Sequence, residues 1–487
     1  MPNSDCPDLS AQIGLVDRPF EQRRVPLRVD TAGAGGHVAV VGAPQSGKSQ
    51  TVCTLVTALA AHHDPRRIQF YCFDFGGGAV TALSVLPHVG SVAGRHDPEL
   101  VRATLNHVEA IVRSREGGHR DEFGDVYLVV DGWLTVRDDF GELETRITAL
   151  AGHSLSFGVH VILTAGRWAD IRPGLKDQIG TRIELRLGDP LDSEMNRKQA
   201  ALVQLGRPGR GITAEGHHLV IATSTPSDVT VRGAWTAPPV RLLPALVEYS
   251  ALLDETNCGA GVLLGIGEPE LTPTVLDFCR DPHLLIVGDR DCGKTSALRT
   301  LCLDIVRGTD EQQTQLFVVD FRRSLLGVVD PGHLYGYAFS AAVLAETLPD
   351  LLALLRGRLP AADVTADQLR SRSWWSGPEI VIMIDDHELV GALAGDTLAG
   401  LVDLLPHATD IGLHLVVARR CAGIARALYD PLLAHLRDGR CPILLMSGSP
   451  DEGPVAGAHR PGPQPPGRGL LVTSDGAQRI QVGWSPP

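Results

Sequence analysis

Residues 37–49 read HVAVVGAPQSGKS, and residues 283–295 read HLLIVGDRDCGKT. Each is an apolar, β-rich run that ends at a glycine. Each continues as G-x-x-x-x-G-K-[ST] into a stretch with helical apolar spacing, Thr51–Ala60 and Ser296–Val306. The second glycine, Gly47 or Gly293, lets the backbone turn tightly enough for its N–H groups to converge on a phosphate. The helix N-terminus that follows adds a field favourable to anions. The phosphate cradles are therefore Gly42, Ala43, Pro44, Gln45, Ser46 and Gly47 in the first loop. In the second they are Gly288, Asp289, Arg290, Asp291, Cys292 and Gly293. Lys48 and Lys294 would neutralise the β- and γ-phosphates of ATP, and the hydroxyls of Ser49 and Thr295 would hold Mg²⁺. Two such loops, each in strand–helix context, make coincidence an inadequate explanation.

The loops belong to a longer repeat. Lys48 and Lys294 are 246 residues apart, and so are Asp74 (QFYCFDFGGG) and Asp320 (QLFVVDFRRS), which end the next apolar run. Asp131 (VYLVVDGW) and Asp385 (IVIMIDDHE) end a third run at an offset of 254. A fourth run, FGVHVILTAGR from Phe157 and IGLHLVVARR from Ile411, keeps that offset at His160 and His414. The tetrapeptide PGRG recurs at Pro208–Gly211 and Pro466–Gly469. A stable offset with one small insertion means two copies of one domain. Strands alternating with helical stretches predict α/β domains, each a mainly parallel sheet with helices on both faces. Ligand should then bind at the C-terminal edge of the strands. The Pro-rich stretch Thr236–Tyr249 sets the boundary, giving domains 1–236 and 237–487. GLLVTSDGAQRIQVGW at the end reads as a hairpin.

The chain of 487 residues is 44% hydrophobic and 21% charged, which fits packed domains and not a disordered chain. No apolar run approaches the ~18 residues of a membrane helix, so none is expected to cross a bilayer. The start shows no secretory leader. A net charge of −13 argues against a dedicated nucleic-acid binder. The nine cysteines show no CxxC spacing, so they read as reduced thiols, mostly small core residues. Lysine occurs only at positions 48, 176, 198 and 294; arginine supplies nearly all other cations, in keeping with a GC-rich coding bias.

Asp131 and Asp385 are placed as Walker-B aspartates, holding Mg²⁺ opposite the loop hydroxyls. Hydrolysis also needs a group that accepts the proton of the attacking water. Asp386 follows Asp385, with Glu388 nearby, whereas Gly132 follows Asp131. Catalytic candidates are thus Asp385, Asp386 and Lys294, and the first domain is expected to bind ATP with little or no turnover. Asp74 and Asp320 suit a turn cap and a nucleotide-proximal role equally. Thr164, Arg167, Arg419 and Arg420 stand where γ-phosphate sensors occur. Arg172, Arg182, Arg210 and Arg468 are further candidates to reach a neighbour's nucleotide. Trp374 and Trp375 suit either a partner patch or a local core plug.

With these residues in view, the chain resembles FtsK/SpoIIIE-class P-loop ATPases, and most of all the EccC motors of type VII (ESX) secretion. The resemblance rests on GLVDRPFEQRRVPLRVD, GHVAVVGAPQSGKSQT, RRIQFYCFDFGGGAVTALSVLPHVGSVA, LVVDGW and RPGLKDQIGTRIELRLGDPLDSEM, and in the second domain on DPHLLIVGDRDCGKTSALRTL, LFVVDFRRSLLG and IDDHELV. It covers nearly the whole chain and corresponds to the second and third of three tandem ATPase domains. It implies a place in a cytoplasmic ring at the inner face of the membrane, hexameric when assembled, beside other secretion-system membrane components. It implies that the last domain recognises the C-terminal signal of WXG100-type helical-hairpin substrates. Alternatives are a DNA-binding translocase of the FtsK kind, which the acidic balance disfavours, and a scaffold whose nucleotides are never hydrolysed.

Overall fold

The computed structural model describes residues 9–119, 121, 123–229, 234–255 and 261–486; Cys6 and Cys258 lie outside them. The chain forms two compact units, Met1–Leu242 and Leu243–Pro487.

In unit 1 the first loop leaves strand Val38–Val41. This strand pairs in parallel with Val159–Ala165 on one side and Thr181–Leu185 on the other. Beyond Val159–Ala165 lie Asp125–Asp131, Ile68–Asp74 and Val89–Gly94, all parallel. Beyond Thr181–Leu185 the sheet continues antiparallel through Arg210–Ile212, His218–Ile221, Ser10–Arg18 and Arg23–Asp30. Unit 2 repeats the order. His283–Val287 lies between Leu413–Arg419 and Ile443–Leu445, with Glu379–Ile384, Thr314–Val319 and Leu334–Ala338 outside. Its antiparallel wing is Arg468–Thr473, Gly476–Trp484, Val262–Gly267 and Thr272–Leu276. The expected parallel sheet is thus six strands, widened in each unit by four antiparallel ones; in unit 2 the short strand Val247–Glu248 also pairs in parallel with Gly476–Trp484. The C-terminal hairpin read from sequence is the first and second strand of that wing in unit 2.

The central strands are continuous apolar runs because both sheet faces are covered. Val38 and Val40 face the layer that holds Val52, Leu55, Val56 and Leu59 of the P-loop helix Lys48–His62. Ala39 and Val41 face the opposite layer, with Val101, Leu105 and Val108 of helix Pro98–Glu116. This alternation is the period of two of a strand. In unit 2, Leu284 and Ile286 face Leu298 and Leu301 of helix Lys294–Gly308, while Leu285 and Val287 face the layer of Leu344, Leu348 and Leu351.

The stretch His387–Ile411 is helical and, by length and composition, apolar enough to cross a membrane, which no single apolar run in the sequence suggested. It is not one rod. Gly395 takes φ 59, Asp396 has non-helical torsions, and Pro406 interrupts it again. Leu398, Leu401, Leu404 and Leu405 are buried in the sheet-facing core.

One arginine braces each unit. Arg115 donates to the carbonyls of Phe157 and Gly124 and pairs with Asp121. Arg358 donates to the corresponding carbonyls of Ile411 and Pro378. Position 121 corresponds to Trp375, whose ring lies 4.3 Å from the Arg358 guanidinium carbon. The Trp375 and Trp374 indole N–H groups donate to Asp410 O and Arg358 O. The tryptophan pair is therefore a brace of this loop. Arg358→Ala should destabilise unit 2 by about 3 kcal/mol, because buried carbonyls lose a charged donor. A lower urea midpoint for the unfolding of unit 2, followed by Trp374 and Trp375 fluorescence, checks this, and an unchanged midpoint contradicts it.

Candidate nucleotide-binding sites

Both loops reach the C-terminal edge of their parallel strands, next to the point where the chain order in the sheet reverses, where such sheets bind ligand. Gln45 and Asp291, at corresponding positions, take φ 59 and 58, and Gly47 and Gly293 take φ 98 and 107. The two glycines stand before helices that begin at the lysines. Their conformation fits glycine, since a side chain is strained there. A second reason is spatial. A Cβ on Gly47 would lie 2.8 Å from Gly209 N, and one on Gly293 would lie 3.0 Å from Gly467 N.

Those neighbours are the glycines of the two PGRG turns. Gly209 N–H donates to Ser46 O, and Gly467 N–H donates to Cys292 O, each at 2.8 Å. The repeated tetrapeptide thus buttresses the phosphate loop from behind. Its arginines do not share one role. Arg210 is exposed, but Arg468 is buried and donates to Leu243 O, Pro244 O and Gln481 Oε1. Arg468 cannot reach a neighbour's nucleotide. Arg167 and Arg172 pair with Asp170 and Glu144, and Arg182 donates to Lys176 O.

The lysines fold onto their own loops. Lys48 Nζ donates to Gly42 O and Ala43 O at 2.8 and 2.9 Å, and Lys294 Nζ donates to Asp289 O at 2.8 Å. Ser46 Oγ is buried without a partner. These are loosely committed donors of the kind that terminal phosphates would engage.

Asp131 and Asp385 are almost fully buried. Asp131 Oδ1 accepts from Thr164 Oγ1 at 2.7 Å, and Thr164 Oγ1 accepts from Gly132 N–H at 2.8 Å. Oδ2 makes no hydrogen bond, and a Cβ on Gly76 would collide with it. Asp385 Oδ2 accepts from Thr295 Oγ1 at 2.9 Å, and Oδ1 accepts from Asp386 N–H at 3.0 Å. The P-loop hydroxyl and Walker-B carboxylate are thus in contact in unit 2, which fits a shared divalent cation. Burial raises the Asp131 pKa, offset in part by Thr164 and Ser49. Burial, reinforced by the charge of Asp386, raises Asp385 to about 6.

Asp74 and Asp320, for which two roles were open, serve the chain itself. Asp74 accepts from Gly78 N–H, Thr81 N–H and Thr81 Oγ1. Asp320 accepts from the N–H groups of Arg322, Arg323 and Leu325 and from Tyr337 OH. Cys292 is buried against Met446, and burial raises its thiol pKa, which suits a packing role. Gly132 and Asp386 both take left-handed torsions, φ 98 and 48, at the corresponding turn into the next helix.

Residues 7–228 match the FtsK/SpoIIIE family. The ESX-4 secretion system protein EccC4 of Mycobacterium tuberculosis is 52% identical over 99% of this chain and 41% of its own length. The ESX-1 protein EccCb1 of Mycolicibacterium smegmatis is 35% identical over 98% of this chain and 88% of its own. The chain belongs to the EccC family of type VII secretion ATPases. It spans about two fifths of EccC4 and of Thermomonospora curvata EccC. The solved ATPases 2 and 3 of T. curvata EccC, in complex with a signal sequence peptide, superimpose with a TM-score of 0.84 at 41% identity. That match covers 100% of this chain and 95% of the other. Family membership implies nucleotide binding.

A carboxyl whose folded pKa is raised is stabilising below its unfolded value and loses that contribution as pH rises through the folded one. For Asp385 the window runs from about 4 to about 6, with a loss of about 3 kcal/mol in metal-free protein. Asp385→Asn should therefore raise the apparent melting temperature of metal-free unit 2 at pH 7. It should also remove the extra melting shift that Mg²⁺ gives over nucleotide alone. A lower melting point, or an intact Mg²⁺ increment, would contradict the assignment.

Proposed function

We propose that the chain is a pair of ATP-binding units of an ESX secretion motor, holding nucleotide firmly and hydrolysing it slowly. The observation that carries this is the joint placement of Thr295, Asp385 and Lys294 around a formed phosphate loop. Mg²⁺ would bind at Ser49 and Asp131 in unit 1 and at Thr295 and Asp385 in unit 2. Unit 1 offers only Gly132 where a base would stand, so its ATP acts as a structural ligand that stabilises the fold by mass action. Any turnover belongs to unit 2, through Asp386. The protein would act in the cytoplasm at the inner membrane face, in a hexameric ring with membrane components of the machine. DNA translocation is disfavoured by the net charge of −13.

Signal recognition is assigned to unit 2, and an exposed apolar face there supports it. Leu326, Tyr335 and Phe339 are exposed. A cavity of about 220 Å³ beside the edge strand is lined by Val318, Leu325, Val329, Leu334 and Tyr337 together with Leu326 and Phe339. Unit 1 covers the corresponding region with its own chain. The turn Pro226–Asp228 packs on Val80–Val85, Ala237 N–H donates to Pro87 O, and Pro238 O accepts from Tyr71 OH. The proposed occupant in unit 2 is the C-terminal tail of a secreted helical hairpin, laid along this edge.

Turnover of Lys48→Ala and Lys294→Ala tests the division of labour: only Lys294→Ala should lower it, by about 10-fold or more. Equal loss in both variants, or none in either, would remove the assignment. In pull-downs, secreted hairpin proteins should be retained only with their tails, and Phe339→Asp should abolish retention. Tail-independent retention would end the recognition claim.

A further inference from the structure

Two differences between the units meet in space. Gly132 corresponds to Asp386, and Gly76, at the other offset, corresponds to Arg322. Unit 1 has no side chain at either place; unit 2 has a carboxylate and a guanidinium, and they form an ion pair. The backbone around Arg322 is fixed, since Asp320 accepts from the Arg322, Arg323 and Leu325 N–H groups. Asp386 is fixed as well, at the start of helix His387–Ala394 in a left-handed conformation, with its N–H on Asp385. The arginine side chain is 53% exposed and the aspartate 17%. The arginine can therefore leave toward solvent or a phosphate, while the carboxylate stays at the site. The neighbouring acid, Glu388, accepts from Arg420 N–H.

We propose that Arg322 is a positioning residue that restrains Asp386 and so sets the low turnover of unit 2. This rests on the reading of unit 2 as an ATP site. In hydrolysis, the Asp386 carboxylate accepts a proton from water as the water oxygen bonds to the terminal phosphorus and the ADP oxygen leaves. A carboxylate held by a guanidinium is not free to orient that water. The pair is thus a latch, absent from unit 1 because neither side chain is there.

The test uses the full chain carrying Lys48→Ala, so that unit 1 is silent. Arg322→Gly, which restores the residue of unit 1, should raise kcat about 5-fold or more, with KM and the Kd for fluorescent ADP within about 2-fold. Arg322→Lys should keep the low rate, and Arg322→Gly with Asp386→Asn should show no rise. Without nucleotide, Arg322→Gly should speed amide exchange at residues 386–390. The latch is overturned if Arg322→Gly leaves kcat unchanged while ADP still binds, or if the rise survives Asp386→Asn. Loss of ADP binding in the Lys48→Ala parent would instead overturn the ATP-site reading, and the latch with it.

Discussion

A carboxylate taken out of water must be compensated, and each nucleotide site in this protein is organised around one. Asp131 and Asp385 end central strands under nearly complete burial. Unit 1 compensates with Thr164 on the neighbouring strand; unit 2 has Ala418 at that position and uses Thr295 of the phosphate loop itself. In unit 1 one oxygen, Asp131 Oδ2, is left without a hydrogen bond; in unit 2 both Asp385 oxygens are met by the chain itself. In the proposed reading, a cation would complete the compensation that the chain leaves open.

The same framework carries two outcomes. The backbone at 132 and 386 makes the same left-handed turn, so the fold does not need an acid there. Glycine adopts that turn without strain, whereas aspartate keeps it despite some strain, in line with a chemical or regulatory use of its side chain. The exposed apolar edge of unit 2 differs in the same manner from unit 1, where Pro226–Asp228 packs on Val80–Val85 and the backbone of Ala237 and Pro238 bonds to Pro87 and Tyr71. Duplication followed by divergence at a few contact points leaves the two sites with different side chains on one backbone frame.

The strands, the phosphate loops and the repeat were legible because they are local patterns: apolar runs, glycines at fixed spacing and constant offsets. Asp131 and Asp385 followed from position in that pattern. The aspartates at 74 and 320 did not resolve, because a turn cap and a phosphate neighbour call for the same residue type. Arg468 stood among the candidates to reach a neighbour's nucleotide, yet carbonyls more than 220 residues earlier hold it. The Arg322–Asp386 pair was equally hidden, since its partners come from different strand ends. Of the antiparallel wing only the C-terminal hairpin was legible, and its continuity with the parallel strands depends on pairings across the whole unit.

The bond from the PGRG glycine to the phosphate loop also orders events in time. Ser46 and Gly209 are 163 residues apart, and Cys292 and Gly467 are 175 apart. During synthesis each loop emerges long before its buttress. At about 5–20 residues per second the gap lasts on the order of ten seconds or more. A nascent unit therefore passes through a period with its strands started but its phosphate cradle unsupported. Each nucleotide site is completed only when the end of its own unit has been made, which ties acquisition of ligand to completion of the domain.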